Sequence, residues 1–509
     1  MLDDIKITNH ELVIGLVGAV GSSLTPLTEI LIQQLEQQFN YQVEVIKVSK
    51  DILAKFAPYT VQNGTAFDRI NHYMDKGNAL RKEYQNDFLA LQMIQEIYQR
   101  RQQWQQQHPT QDPQQRRVAY ILDSLKHESE IQTLRQVYGH GFFQLSLYES
   151  KTARQHALLH TYGMSRENAE LLIERDEGEE NSYGQHTSEA FHLADYFLKF
   201  DQHLQPLRES CLRFLKLIFK NPYITPTFYE FASYMSFSAS LRSADLSRQV
   251  GAVVVRDETI LAIGSNDVPK FRGGTYWPYF NEETGRVEDF ENGRDFTRGY
   301  DINTKEKQGI ILDLLEQFEG LVDRELPAER SHAVKGEIEK ILKQSKIKNI
   351  LEYGRVVHAE MDALLSCSRS NISTVGATLF VTTFPCHNCA KHILAAGIEK
   401  VIFVEPYPKS QALRMHSESI TQRWEDHDAS MQNKLVFEPF VGVGARSFMN
   451  LFSMSLGVGE KLKRKEKKTG KIVDWQAQDA TLRMPLHVLS YQELEQRIVE
   501  ALAKTPISV

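Results

Sequence analysis

An α/β protein built as two domains is what this sequence predicts, and three observations lead there. At 509 residues the chain is too long for one hydrophobic core, because single domains cluster near about 150 residues. Residues 12–49 read as strand, glycine turn, helix, strand. A second α/β alternation starts near Thr227 and closes with the strands TLFVTT and KVIFVEP on either side of a helix. The first alternation predicts a parallel, doubly wound domain over residues 1–200, and the second a separate domain over residues 201–509.

Each element follows from local pattern. LVIGLVGAV, residues 12–20, is a continuous apolar run ending in glycines, so it is a buried strand; TPLTEILIQQLEQQF has helical spacing, and YQVEVIKVS is the next strand. The Gln-rich stretch Gln95 to Arg117, broken by Pro109 and Pro113, predicts a surface excursion. RVAYILDS is a buried strand ending in Asp123, and GFFQLSLYES at 141–150 is another. Leu193 to Phe219 has helical spacing throughout and predicts a bridge between the halves. Beyond it come a helix through FYEFASYMSFSASL, the strand QVGAVVV, a turn at Arg256 to Glu258 and the strand TILAIGS, which together predict a hairpin. Residues 270–354 form a charged, aromatic-bearing insertion that ends in two helix-like segments. KLKRKEKKTGK, residues 461–471, is the one strong basic block; a solvated loop is the favoured reading, and binding of RNA or a triphosphate tail is the sharper one.

Composition narrows the function classes. An apolar fraction of 41% with 25% charged residues describes a globular protein, and a net charge of -7 argues against binding duplex DNA through bulk electrostatics. A local basic pocket for a small anion is compatible with it. The apolar run at 12–20 is too short to span a bilayer and lacks a basic flank and a cleavage site. With Cys211, Cys367, Cys386 and Cys389 as the whole cysteine inventory, a disulfide framework is not expected, and the reducing cytoplasm is the expected location.

The chemistry concentrates in VTTFPCHNCAKHI and VVHAEMDALL. A C-x-x-C pair alone serves redox and structural zinc sites equally. Here His358 precedes it by 28 residues, and Glu360 stands two residues after that histidine. His358, Cys386 and Cys389 are three zinc ligands that leave a fourth tetrahedral position for water, the arrangement of a catalytic site. If His358 and Cys386 open two helices, the positive helix ends face the thiolates. Glu360 then lies beside the water as general acid/base. This order, H-x-E…P-C-x-x-C, is the signature of zinc nucleobase deaminases. The competing reading, a core histidine, a helix-start carboxylate and a buried thiol pair arising independently, requires three coincidences. Cys367 reads as core, and Cys211 and His387 as packing or surface residues.

SADLSRQVGAVVV, ILAIGSNDVP, VVHAEMDALL and LFVTTFPCHNCAKHILAAGIEKVIFVEP together resemble the deoxycytidylate deaminase family over about residues 225–440. The resemblance implies a cytidine-deaminase-like three-layer α/β/α domain with the metal between two helix N-termini, and a free nucleotide as substrate. It assigns sugar contact to Asn266 and base contact to Glu360; for the reaction itself, the backbone amides around Cys386 and the carbonyl of Ala359 are the candidates for holding the base edge. Arg248, Lys270, Arg272 and Lys409 are candidates for phosphate contacts, and solvated surface cations is an equally strong reading of each.

The whole chain resembles bacterial antiphage dCTP deaminases, in which a P-loop nucleotide-kinase-like parallel α/β domain is fused to a deaminase domain. That implies conversion of dCTP, and of dCMP as a second substrate, to the deoxyuridine nucleotide, with depletion of deoxycytidine nucleotides as antiviral defence. It also implies a homo-oligomer, hexameric in relatives, a regulatory nucleotide at the N-terminal domain, and a regulatory RNA or phage-linked signal. The insertion at 270–354 departs from ordinary deoxycytidylate deaminases.

GLVGAVGSSLTPL, residues 15–27, sits where a P-loop belongs but departs from G-x-x-x-x-G-K-[ST]. Leu16 takes the first glycine position, with Gly15 one place early, and Ser22 replaces the lysine. Gly18, Gly21 and Ser23 retain the means to wrap a phosphate, while phosphoryl transfer is not expected. Asp123 takes a Walker-B-like place, or is a strand-end turn carboxylate. Two other functions remain open: deamination of cytosine in single-stranded DNA or RNA, and a noncatalytic nucleotide-binding sensor. The acidic balance weighs against the first, and the presence of Glu360 against the second.

Overall fold

The computed structural model describes residues 10–61, 64–111, 116–178, 187–325, 328–345, 347, 350, 352–407, 410–422, 433–455, 461–466, 469–484 and 488–504. In chain order the elements are β1 (Leu12–Gly18), α1 (Leu24–Phe39), β2 (Gln42–Lys47), α2 (Ala54–Phe56), α3 (Ala66–Glu83), α4 (Phe88–Gln107), β3 (Val118–Leu125), α5 (Glu128–Tyr138), β4 (Phe142–Tyr148), α6 (Lys151–His160), α7 (Arg166–Gly178), α8 (Thr187–Phe191), β5 (Tyr196–Lys199), α9 (Leu204–Ile218) and α10 (Phe228–Ser240). They continue as β6 (Gly251–Arg256), β7 (Thr259–Ser265), β8 (Tyr279–Asn281), β9 (Arg286–Glu288), α11 (Asp295–Arg298), α12 (Ile302–Glu325), α13 (Ala328–Gln344), α14 (Ala359–Arg369), β10 (Thr378–Thr383), α15 (His387–Ala395) and β11 (Lys400–Glu405). The chain ends through α16 (Ala412–Met415), β12 (Ile420–Gln422), β13 (Leu435–Pro439), β14 (Gly442–Val443), α17 (Ala445–Phe452) and α18 (Val488–Lys504). Among the described residues no helix is long and apolar enough to cross a membrane.

The chain divides into two compact units, residues 1–234 with 402–410 and 420–509, and residues 235–401 with 411–419. This differs from the boundary expected at residue 200, because the C-terminal segment packs with the N-terminal one. In the first unit a six-stranded sheet has the order β14-β5-β4-β1-β3-β2. The strands β2, β3, β1, β4 and β5 run parallel, as the sequence predicts, while β14 closes the sheet antiparallel to β5. Every residue of β1 is buried, which explains its continuous apolar run.

Two expectations are corrected here. The Gln-rich stretch is helix α4 as far as Gln107, with Met93, Ile94, Ile97 and Arg101 buried at helical spacing. Arg101 is enclosed by two carboxylates: its Nε donates to Glu11 Oε1 at 2.8 Å and its Nη1 to Glu495 Oε2. Tyr491 and Tyr138 donate their hydroxyls to the same two carboxylates. One buried cation in a polar run, with partners at positions 11 and 495, leaves no periodic trace. The segment from Leu193 to Phe219 is also not helical throughout, because strand β5 precedes α9.

In the second unit β6 and β7 form the expected antiparallel hairpin, turning through Asp257 and Glu258 at φ of 49° and 55°. β10 lies antiparallel on the other side of β6. Two glycines bring helices against this sheet. A Cβ on Gly251 would stand 1.8 Å from the Ser236 carbonyl of α10, and one on Gly264 would stand 2.3 Å from the Ala359 carbonyl of α14. Gly251 pairs with Ser265 and Ala252 with Gly264, so the two glycines face opposite sides of the sheet. Helix α10 and helix α14 therefore cover opposite faces, which gives the three layers expected.

Candidate active site

Two helix starts build the site. His358 is the N-cap of α14 at φ -68° and ψ 153°, and Cys386 is the N-cap of α15 at φ -68° and ψ 165°. Their carbonyls accept the first intrahelical bonds, from Asp362 N–H and Ala390 N–H at 2.9 Å each. Extended caps turn both side chains away from the helix axes, and the first turns then carry Glu360 and Cys389 to the same place. The start of α14 is tied to strand ends: Val357 exchanges backbone hydrogen bonds with Asp267, and Ser265 N–H donates to Asp362 Oδ2 at 3.2 Å.

The donor atoms of His358, Cys386 and Cys389 all lie within 4.8 Å of one another. His358 Nδ1 is 3.2 Å from Cys389 Sγ and 3.5 Å from Cys386 Sγ. A tetrahedral zinc with its usual bonds to nitrogen and sulfur has an N–S edge of about 3.5 Å. The set therefore fits zinc in atom type and in spacing. Both cysteines are buried, as is Glu360 at 4% exposure.

The protons of the cluster follow from these contacts. Hydrogen bonding from Cys389, with His358 alongside, pushes the Cys386 thiol down to about 4. The same Cys386 contact raises the His358 imidazole to about 9 and drives the Cys389 thiol well above its ordinary value. Burial pushes the Glu360 carboxyl up. Glu360 is thus a carboxyl that burial makes readier to hold a proton than a solvated one.

The other candidates fall into place as follows. Asn266 is buried and pins the loop before β6: its Nδ2 donates to the Arg248 carbonyl at 2.8 Å and its Oδ1 accepts from Val250 N–H at 2.7 Å. Ala359 is fully buried in the first turn of α14. Arg248, Lys270 and Arg272 are exposed, and Lys409 lies outside the described residues. Cys211 and Cys367 are buried core thiols, as expected. In the first unit Gly15 sits inside β1, where a Cβ would meet Leu125 and Phe142 at 2.6 and 2.8 Å, so its place is packing and not the loop. Gly18 ends β1, Gly21 has φ of +82°, Ser22 follows it, and Ser23 caps α1. Asp123 lies opposite Leu16 in the β1–β3 register, two residues before β3 ends.

Sequence reasoning missed a group of residues beside the cluster. Arg242 stacks over the Trp277 ring at 3.9 Å and lies 3.9 Å from Asp362. Arg294 donates to the Tyr276 carbonyl at 2.8 Å and lies 3.7 Å from Asp267, while Arg355 binds Asp295 at 3.0 Å. The insertion is thereby tied to the strand ends next to Val357. Its arginines and aromatics were visible in the sequence, but their partners were not.

Residues 227–405 match the family model described as cytidine and deoxycytidylate deaminase zinc-binding region. ComE operon protein 2 of Bacillus subtilis (strain 168) is 47% identical over 53 residues, 10% of this chain and 28% of that protein. The deoxycytidylate deaminase of Enterobacteria phage T4 is 44% identical over 55 residues, 11% of this chain and 28% of its own length. The deoxycytidylate deaminase of Homo sapiens is 30% identical over 98 residues, 19% of this chain and 44% of its own length. The chain thus spans less than half the length of each of these relatives. Among solved structures, the dCMP deaminase from the cyanophage S-TIM5 in complex with dCMP and dUMP is 19% identical, with 43% of this chain and 100% of that chain covered at a TM-score of 0.22. Residues 227–405 are thus similar to the zinc-binding region of cytidine and deoxycytidylate deaminases, and zinc is the metal that His358, Cys386 and Cys389 fit.

Proposed function

We propose that this chain hydrolyses the exocyclic amine of a free deoxycytidine nucleotide, dCTP first and dCMP second, releasing ammonia and the deoxyuridine nucleotide. The observation that carries this reading is Glu360 buried in the first helical turn after His358, with Cys386 and Cys389 completing the donor set. A purely structural zinc site has no use for that carboxyl. Zinc held by His358, Cys386 and Cys389 would supply Lewis acidity that makes hydroxide available from water near neutral pH.

The chain's own residues handle the protons. Glu360 takes the proton released as water becomes hydroxide and hands it to N3 of the cytosine while C4 is attacked. Glu360, ionised again, next takes the proton of the new C4 hydroxyl and passes it to N4 as the C4–N4 bond breaks; water and cytosine become uracil and ammonia, and Glu360 returns to its starting carboxylate. Its pKa, raised by burial, suits a group that must gain and lose a proton within one turnover. Asn266 shapes the sugar side through the Arg248–Val250 loop, and Arg248, Lys270 and Arg272 supply cationic charge for the phosphates.

We assign the first unit a P-loop kinase-like regulatory role, in which a nucleotide, an RNA or a phage-linked signal restrains or releases deamination in antiviral defence. The whole-chain resemblance and the glycine-bearing loop after the central parallel strand support this. The test is to follow ammonia release from dCTP, dCMP, CTP and a cytosine-bearing oligonucleotide, with and without Glu360→Ala. Activity on the oligonucleotide alone would replace the free-nucleotide reading with single-strand deamination. Unchanged activity in the variant would remove Glu360 from the mechanism.

A further inference from the structure

The loop between β1 and α1 displays its backbone N–H groups to anions, and the chain itself provides them. Val20 N–H donates to Asp176 Oδ2 at 2.7 Å. Ser23 N–H donates to Glu149 Oε2 at 2.8 Å, and the Ser23 hydroxyl to Glu149 Oε1 at 3.4 Å. The second oxygen of Asp176 accepts from Lys126 Nζ at 2.8 Å and from the Thr187 hydroxyl at 3.1 Å. Lys126 Nζ also donates to the Gly18 carbonyl at 2.8 Å, and Arg154 to the Val20 carbonyl at 3.3 Å. The buried Ser22 hydroxyl has no hydrogen-bond partner among the described residues.

These are the parts of a phosphate site with a carboxylate where the phosphate belongs. Loop amides at a helix N-terminus and a convergent lysine are what binds phosphate chains. Ser22 removes the lysine expected within the loop, yet Lys126, three residues beyond Asp123, brings an ammonium to the same loop from β3. Asp176 has 0% exposure and lies in the last turn of α7, the end at which the helix dipole disfavours a negative charge. Among the described residues, the Val20, Lys126 and Thr187 contacts hold it there.

We propose that residues 18–23 are a phosphate cradle held shut by Asp176, an internal stand-in for the phosphate, and that a polyphosphate opens it by displacing this carboxylate. The inference deepens the nucleotide-responsive reading of the first unit and rests on it. Ser22 offers the incoming group a further donor. If the shut state holds more than about nine-tenths of the population, removing the latch raises apparent affinity about tenfold.

The test is calorimetric binding of inorganic tripolyphosphate, in magnesium-containing buffer, to the full chain. Asp176→Asn should bind at least about tenfold more tightly than wild type, and adding Lys126→Met should abolish the gain. Thr187→Val, which removes one contact to Asp176 and leaves its charge, should give a smaller gain and serves if Asp176→Asn does not fold. Equal affinity of wild type and the latch variants would overturn the latch while leaving a phosphate-binding loop. Absence of binding to every variant would overturn both the latch and the nucleotide-responsive reading.

Discussion

Replacing Gly264 by alanine tests how the site is positioned. The new Cβ would stand 2.3 Å from the Ala359 carbonyl oxygen, 2.4 Å from Ala363 N and 3.0 Å from Ala363 Cα, all rigid backbone atoms of α14. Ordinary carbon contacts at about 3.5 Å require α14 to retreat from β7 by roughly 1 Å. Overpacking of this kind costs about 1–3 kcal/mol. Because α14 carries His358 and Glu360 while α15 carries both cysteines, the retreat pulls one side of the donor set from the other. A misplacement of about 1 Å lowers turnover by about 10²-fold. Elemental analysis for zinc, ammonia release from the preferred nucleotide and thermal melting read the three effects separately. Gly309→Ala is the control, since a Cβ there meets nothing within 4 Å. Wild-type zinc content, turnover and melting in Gly264→Ala would refute the argument that close strand–helix packing positions the cluster.

Glu360→Gln keeps the shape and the three metal ligands, so zinc content should stay at the wild-type level while turnover falls by about 10²–10⁴-fold, as measured by ammonia release. Arg101→Met leaves Glu11 and Glu495 as buried carboxylates without their shared cation, an effect of about 3–5 kcal/mol on the stability of the first unit in urea unfolding. Chelation should expose Cys386, whose thiol is pushed down to about 4, to iodoacetamide, while Cys211 and Cys367, whose thiols burial pushes up, stay unlabelled in peptide mass spectrometry.

How far the sequence could be read depended on how far apart the partners lie. The His358, Cys386 and Cys389 cluster was legible because two short motifs carry it: H-x-E and P-C-x-x-C each place a ligand at a helix start, and extended caps at His358 and Cys386 fulfil that geometry locally. The β6–β7 hairpin was legible for the same reason, from two apolar runs and a two-residue turn. Arg101 was not, since its carboxylates come from positions 11 and 495 and its neighbours are glutamines. Nor was the assignment of residues 420–509 to the first unit, which depends on β14 pairing with β5 and on Glu230 accepting from Val443 N–H at 3.0 Å. Asp176 reads in sequence as one more acidic residue on a surface helix, and only the fold sets it against Val20.

The helix starts themselves show what the metal site costs the fold. Neither His358 nor Cys386 closes its helix with the usual side-chain oxygen cap, although both occupy N-cap positions; the Cys386 sulfur meets Cys389 of its own first turn, and His358 has no such partner. A residue such as serine or aspartate there would satisfy an orphan N–H and stabilise each helix by about 1 kcal/mol. By contrast, Thr65 and Ser150 cap α3 and α6 through their side chains, where no ligand is needed. The two uncapped starts are therefore a local loss accepted at the donor atoms, and zinc binding, worth about 10–16 kcal/mol in small structural sites, exceeds it severalfold. It follows that the first turns of α14 and α15 are held in place by the metal more than by their own hydrogen bonds. Amide hydrogen exchange at residues 359–362 and 387–390 should accelerate on chelation while exchange in α3 and α6 stays unchanged. Equal protection with and without zinc would show that packing against the sheet, and not the ligands, fixes these helix starts.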